Sequence, residues 1–150
     1  MRKITLSPVH MQPPTEYEFD TPNGTVMPYR RLGKSGLKVS ALSFGSWVTF
    51  GTQLADGNAR ECMKIAYEHG VNFFDNAEVY AQGESERIMG QVLHKMGWSR
   101  DSYILSSKAF WGGSGATQSG LSRKHLTEAC HAALKRLQVD YLDLFFCHRP

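Results

Sequence analysis

Apolar residues along the chain fall into short blocks of two kinds, and the two kinds alternate. Four runs, Ala41–Phe44, Val71–Phe74, Tyr103–Ser107 and Tyr141–Phe146, have the length and the polar or glycine borders of buried strands. Between them lie three stretches with helical spacing. Over Asn58–His69 the pattern predicts a helix with Cys62, Ile65, Ala66 and His69 on its inner stripe. Asn58 stands as its cap, Glu61 returns the bond, and Gly70 stops it. Over Glu84–Lys95 a second helix turns Ile88, Met89, Val92 and Met96 inward before Gly97. A glycine-rich loop, Phe110–Gly120, leads to a third helix capped by Ser122, with Leu126, Ala129, Ala133, Leu134 and Leu137 inward. Ahead of the repeat, Tyr29–Leu32 and Leu37–Ser40 flank Gly33-Lys34-Ser35-Gly36 as a hairpin.

The predicted order is therefore β-α-β-α-β-α-β, in steps of about 30 to 40 residues. Crossovers of that length require parallel strands covered by helices. Two layouts satisfy this, an open doubly wound sheet and part of a (β/α)8 barrel. No GxGxxG follows the first strand, which disfavours the dinucleotide-binding open sheet. Proline divides the chain in two. Five of the six prolines fall within residues 1–28 and the sixth is Pro150. Residues 1–28 read as an irregular leader, and residues 29–150 as the folded unit.

Composition narrows the function classes. At 41% hydrophobic and 21% charged residues the chain is globular. The net charge of +3 comes from scattered groups such as Arg30, Arg31, Lys34 and Lys38, which is no nucleic-acid footprint. Cys62, Cys130 and Cys147 form no CxxC and read as free thiols, which with the lack of a secretion signal implies a cytoplasmic protein. Gly33-Lys34-Ser35 is no phosphate loop, because Pro28 occupies the position of the first required glycine. His10, His69, His94 and His125 lack metal-ligand spacing, so no metal site is expected. Neighbouring Cys147 and His148 point to opposite sides of an extended segment and make a poor nucleophile–base pair. Asp140 and Asp143 stand near the start of the last strand, on the stability face.

The informative residues stand where three strands stop. Asp75 follows Phe73-Phe74, Lys108 follows Ile104–Ser107, and His148 follows Leu144–Cys147. In parallel α/β folds this carboxyl rim is the ligand face. Tyr80 lies five residues past Asp75, in the next loop. A phenol, with an ordinary pKa of about 10, is a weak acid at neutral pH. An adjacent ammonium stabilises its phenolate, a carboxylate fixes the ammonium, and an imidazole can hydrogen-bond a carbonyl. That set suits protonating a carbonyl oxygen while hydride arrives at carbon.

These residues sit in motifs that resemble the aldo-keto reductases, and within them the voltage-gated potassium channel beta subunits and their plant, fungal and bacterial relatives. Residues 29–40 resemble the opening hairpin and first barrel strand, and Trp47-Val48-Thr49-Phe50-Gly51 the first βα loop. Phe74–Tyr80 resembles the aspartate–tyrosine motif. Lys108–Gly113 with Gly120–His125 resembles the lysine strand and its long loop, and Asp140–Pro150 the approach to the histidine. The resemblance implies the N-terminal half of a (β/α)8 TIM barrel, NADP(H) as cofactor, and reduction of aldehydes or ketones. Tyr80 is then the proton donor, Lys108 and Asp75 the pair that tunes it, and His148 the substrate-orienting group. Gly45, Trp47 and Asp75 would meet the cofactor, and Trp47, Tyr80 and Trp111 would line the substrate pocket. A tetramer and a potassium-channel partner are further implications. Some channel beta subunits carry Asn at the position of His148, so His here favours catalysis. A complete barrel takes about 250 residues, so the chain is expected to be a fragment with an uncovered fourth strand. Two alternatives stand beside the reductase: a channel-regulating subunit that binds NADP(H), and a non-catalytic truncated product.

Overall fold

Two small sheets of opposite character build the molecule. In this computed structural model the described residues are 16–21, 23, 24, 26–47, 50 and 56–150. The first sheet is antiparallel and holds β1 (Glu16–Asp20), β2 (Val26–Arg31) and β3 (Lys38–Ser40) in that order. The expected hairpin is β2–β3. Its turn is closed by Leu32 N–H donating to Leu37 O at 2.9 Å and by Ser35 Oγ donating to Leu32 O at 2.6 Å. β1 corrects the reading of residues 1–28 as irregular. Glu16-Tyr17-Glu18-Phe19-Asp20 alternates polar and apolar residues, and it pairs with β2 from Glu16↔Arg30 to Asp20↔Val26. Residues 1–15 of the expected leader lie outside the described residues.

The second sheet is parallel, ordered β4 (Phe44–Gly45), β5 (Phe73–Asp75), β6 (Ile104–Ala109) and β7 (Leu144–Cys147). Helices α1 (Asp56–Glu68), α2 (Glu84–Met96) and α3 (Arg123–Leu137) connect the strands. This is the β/α alternation that the sequence pattern predicted, and it is consistent with the partial (β/α)8 barrel that the resemblance implied. Every strand reaches further towards its carboxyl end than the apolar runs suggested. The ladder is made by backbone groups, so polar residues remain in it: Asp75 pairs with Gly45 and Ser106, and Lys108 with Phe146. The predicted first strand, Ala41–Phe44, shrinks to Phe44–Gly45. Ser40 Oγ donates to Leu42 O at 2.6 Å there and bends the chain between the sheets.

Strand alternation sorts side chains onto two faces. Phe74 and Leu105 meet Met63, Ile88, Met89, Val92, Ala133 and Leu137 in the core between sheet and helices. Asp75, Ser106 and Lys108 take the other face. The amino end of the parallel sheet is closed by the antiparallel one. Asn72 receives Ser40 N–H at 2.9 Å and gives its amide to Lys38 O at 3.0 Å, and Tyr29 Oη donates to Gly70 O at 2.6 Å. Gly70 is obligatory there: at φ +86° a Cβ would come within 2.6 Å of Thr21 Cγ2. Asp143 also belongs to this end, accepting from Arg100 Nη2 at 2.7 Å and from Leu105 N–H at 2.8 Å.

α1 is rotated from its expected setting. Ala59 and Met63 are buried, whereas Cys62 and Ile65 are exposed, Ile65 at 48%. The helix also begins at Asp56, so Asn58 lies inside it and is no cap. The deciding contact is Tyr67, whose ring stacks on Trp98 at 3.9 Å and whose hydroxyl donates to Ser102 Oγ at 2.9 Å. α2 and α3 keep their expected faces, Gly97 terminates α2 at φ 62°, and Ser122 caps α3 by accepting His125 N–H at 3.1 Å. In this chain Met63→Ala should lower the unfolding free energy by about 2–5 kcal/mol. Ile65→Ala should change it by less than about 0.5 kcal/mol. Urea denaturation of both variants checks the rotation, and the opposite ranking would contradict it.

Candidate active site

β5, β6 and β7 end side by side, and the residues at their ends converge. Asp75 is the last residue of β5. It lies across from Ser106, whose hydroxyl donates to Asp75 Oδ1 at 2.6 Å. Two residues further along β6, Lys108 points to the same face and places its Nζ 2.7 Å from Asp75 Oδ2. The same nitrogen donates to Asn76 O at 2.8 Å and to Tyr80 Oη at 3.1 Å. An ammonium has three donors, and here each has an acceptor. The side chains of Lys108 and Asp75 are 15% and 26% exposed, so the pair is withdrawn from bulk water yet reachable.

Tyr80 arrives by a strained route. It opens a 3-10 turn, Tyr80–Gly83, in which Ala81 and Gln82 take left-handed φ values of 48° and 56°. Left-handed backbone is costly for residues with a Cβ and concentrates at functional sites. The preceding segment is tied down as well. Asn76 N–H donates to Ser106 O at 3.1 Å and Glu78 N–H to Lys108 O at 3.1 Å, so the chain follows β6 until it releases Tyr80.

His148 follows β7 directly, its N–H bonded to Ala109 O at 3.1 Å. Its ring stands edge-on to Tyr80 at 5.8 Å and to Trp111 at 5.0 Å. Burial, then the positive charges of Lys108 and Arg149, push its pKa below the usual imidazole value; Asp75 and Glu78 oppose this more weakly. The imidazole is therefore biased to its neutral form, with one N–H donor and one acceptor. Its buried Nδ1 has no hydrogen-bond partner among the described residues. Such an atom costs free energy unless a ligand completes it.

Trp47, 69% exposed, lies 6.3 Å from the Tyr80 ring on one side, and Trp111, 41% exposed, stands by His148 on the other. Gly45 pairs with Asp75 at the sheet's rim, and a Cβ there would meet nothing within 4 Å. All seven residues singled out from the sequence thus border one face. Of the loop motif around Trp47, Val48, Thr49 and Gly51 lie outside the described residues, while Phe50 is buried against Phe44 at 5.7 Å. Sequence reasoning missed Ser106 and the carbonyl of Asn76. Ser106 was detectable by strand alternation, two residues before Lys108 on the same face. No group of three or more His, Cys, Asp or Glu able to hold a metal occurs among the described residues. No helix among them is long and apolar enough to cross a membrane.

Residues 41–150 match the model of the aldo/keto reductase family. Over 124 residues the chain is 57% identical to a "probable voltage-gated potassium channel subunit beta" of Arabidopsis thaliana. It is 53% identical, also over 124 residues, to a protein of the same description from Oryza sativa subsp. japonica. Each match covers 83% of this chain but 38% of the relative, so the chain spans well under half the length of the relatives it matches.

The His148 shift gives a direct test. Its imidazole should titrate below about 6.5, and Lys108→Met should raise that value by removing a repelling charge. Because the folded value is depressed, this histidine's contribution to stability is complete above the unfolded value and is lost as pH falls below it. Carbon-detected NMR titration of the ring reads the shift; a value at or above the ordinary one would refute the assignment.

Proposed function

The chain belongs to the aldo/keto reductase family, and on that premise we propose that it is the N-terminal portion of a cytoplasmic, channel-beta-like subunit that binds NADP(H) and can reduce a carbonyl. The observation that carries the chemical half of this reading is the Lys108 ammonium bonded at once to Asp75, Asn76 and Tyr80. In the reduction Tyr80 Oη gives its proton to the carbonyl oxygen of an aldehyde or ketone. Lys108 stabilises the phenolate left behind, and Asp75 with Ser106 holds Lys108 in place. Neutral His148 donates a hydrogen bond to the same oxygen and fixes the carbonyl between the two rings. Trp47 and Trp111 exclude water from its sides. Tyr80 recovers its proton from solvent after the alcohol leaves.

NADPH, when bound, would supply the hydride. Gly45, where a side chain would meet open space, its ladder partner Asp75 and the exposed Trp47 would hold the nicotinamide end of the cofactor. The names of both plant relatives favour a channel-regulating subunit over a free-standing reductase, and the two roles share the same cofactor site. Assembly with a potassium channel and into a homo-oligomer belongs to this regulatory reading.

The full-length protein should bind NADPH and oxidise it in the presence of a small aldehyde. Tyr80→Phe should lower kcat by at least about 100-fold and leave the affinity for NADPH unchanged. Undiminished turnover in that variant would remove Tyr80 as the donor. Binding without turnover in the unaltered protein, together with co-purification of a potassium channel, would leave the regulatory role alone standing. Failure to bind NADPH would contradict both roles.

A further inference from the structure

Glu78 and His125 are buried together outside the reacting set. Each side chain is 5% exposed, and His125 Nε2 lies 3.1 Å from Glu78 Oε1. Ionisable groups so far from water are costly to keep unless their partners do something in return. What this pair holds is the loop that carries Trp111. Phe110 N–H donates to the same Glu78 oxygen at 2.6 Å. The backbone of Gly112 lies so close that a Cβ would come within 2.5 Å of His125 Cε1 and 2.8 Å of Glu78 Oε2. Trp111 is thus clamped between two residues that both rest on the pair.

The pair is itself anchored from two directions. Glu78 N–H bonds Lys108 O at 3.1 Å, which ties it to the end of β6, and it stands two residues before Tyr80. His125 is set in the first turn of α3 by the Ser122 cap. Glu78, Gln82, Trp111, Gly112, Ser114 and Arg136 line one cavity of about 450 Å³. Trp111 thus borders both that cavity and the His148 ring, 5.0 Å away.

We propose that Glu78 and His125 are a positioning pair for substrate choice: they hold Trp111 against His148 and so decide how bulky a carbonyl compound enters. The kinetic side of this rests on the reductase reading above; the structural side does not. Tyr80 and Lys108 keep their own contacts without the pair's side chains, so the effect falls on KM more than on kcat.

The test compares Glu78→Ala, His125→Ala and Gly112→Ala with the conservative Glu78→Gln in the full-length protein. Gln keeps an oxygen for Phe110 N–H. Gly112→Ala attacks the clamp from the loop side and serves should the buried Ala variants fail to fold. Amide hydrogen exchange over residues 110–120 should accelerate in the Ala variants, with β6 unchanged and Glu78→Gln near the parent. KM for benzaldehyde should rise by about tenfold with a smaller fall in kcat, while KM for propanal holds. Unchanged exchange in the loop, or equal acceleration of loop and β6, would overturn the positioning role, as would KM values that move together for both aldehydes. A parent protein without turnover would instead contradict the reductase reading, and the exchange pattern alone would then decide whether the pair clamps the loop.

Discussion

A lysine nitrogen half-withdrawn from water must find acceptors for all three of its hydrogens, and most of this fold can be read as the supply of those acceptors. Lys108 obtains a carboxylate from β5, a carbonyl from the residue after it, and a phenol from the turn beyond. None is adjacent to it in sequence; the separations are 33, 32 and 28 residues. Only a parallel pairing of β5 with β6 delivers them together, because in parallel strands both carboxyl ends fall at one rim. The register Asp75↔Ser106 then puts Lys108 one pleat further out, where its long side chain reaches back over the rim.

The same constraint explains the division of labour between the two ends of the sheet. At the amino end polar groups serve structure: Arg100 and Asp143 bind each other and Asp143 takes Leu105 N–H, while Asn72 ties the parallel sheet to the small antiparallel one. On the helix-facing side of β6, Ser107 donates to the fully buried Glu86 at 2.6 Å, and Arg136 pairs with that same carboxylate. On that side Ser107, Glu86 and Arg136 satisfy one another. On the rim, His148 Nδ1 keeps no partner among the described residues and Trp47 and Trp111 stay exposed. The two exposed indoles flank Tyr80 and His148 on that rim, where a bound ligand would cover them.

Much of this was legible in the sequence. Asp75, Lys108 and His148 stood out because each ends an apolar run, and Tyr80 because it follows one of them closely. Motif resemblance then gave them roles that spacing alone left open. The failures have physical causes. On α1 two apolar arcs compete, and aromatic stacking of Tyr67 on Trp98 decides between them. Around β1 nearby prolines mask the two-residue alternation of Glu16–Asp20. Glu78 and His125 were beyond reach: 47 residues separate them, and nothing local marks a surface-type residue as buried.

Nitrogen-15 NMR of lysine side chains observes the threefold commitment of the Lys108 ammonium directly. The Lys108 ammonium protons should exchange with water more slowly than those of the exposed Lys95 and Lys124, and both Asp75→Asn and Tyr80→Phe should shift the signal and speed its exchange. A Lys108 signal that exchanges like the exposed lysines and ignores both substitutions would contradict the account.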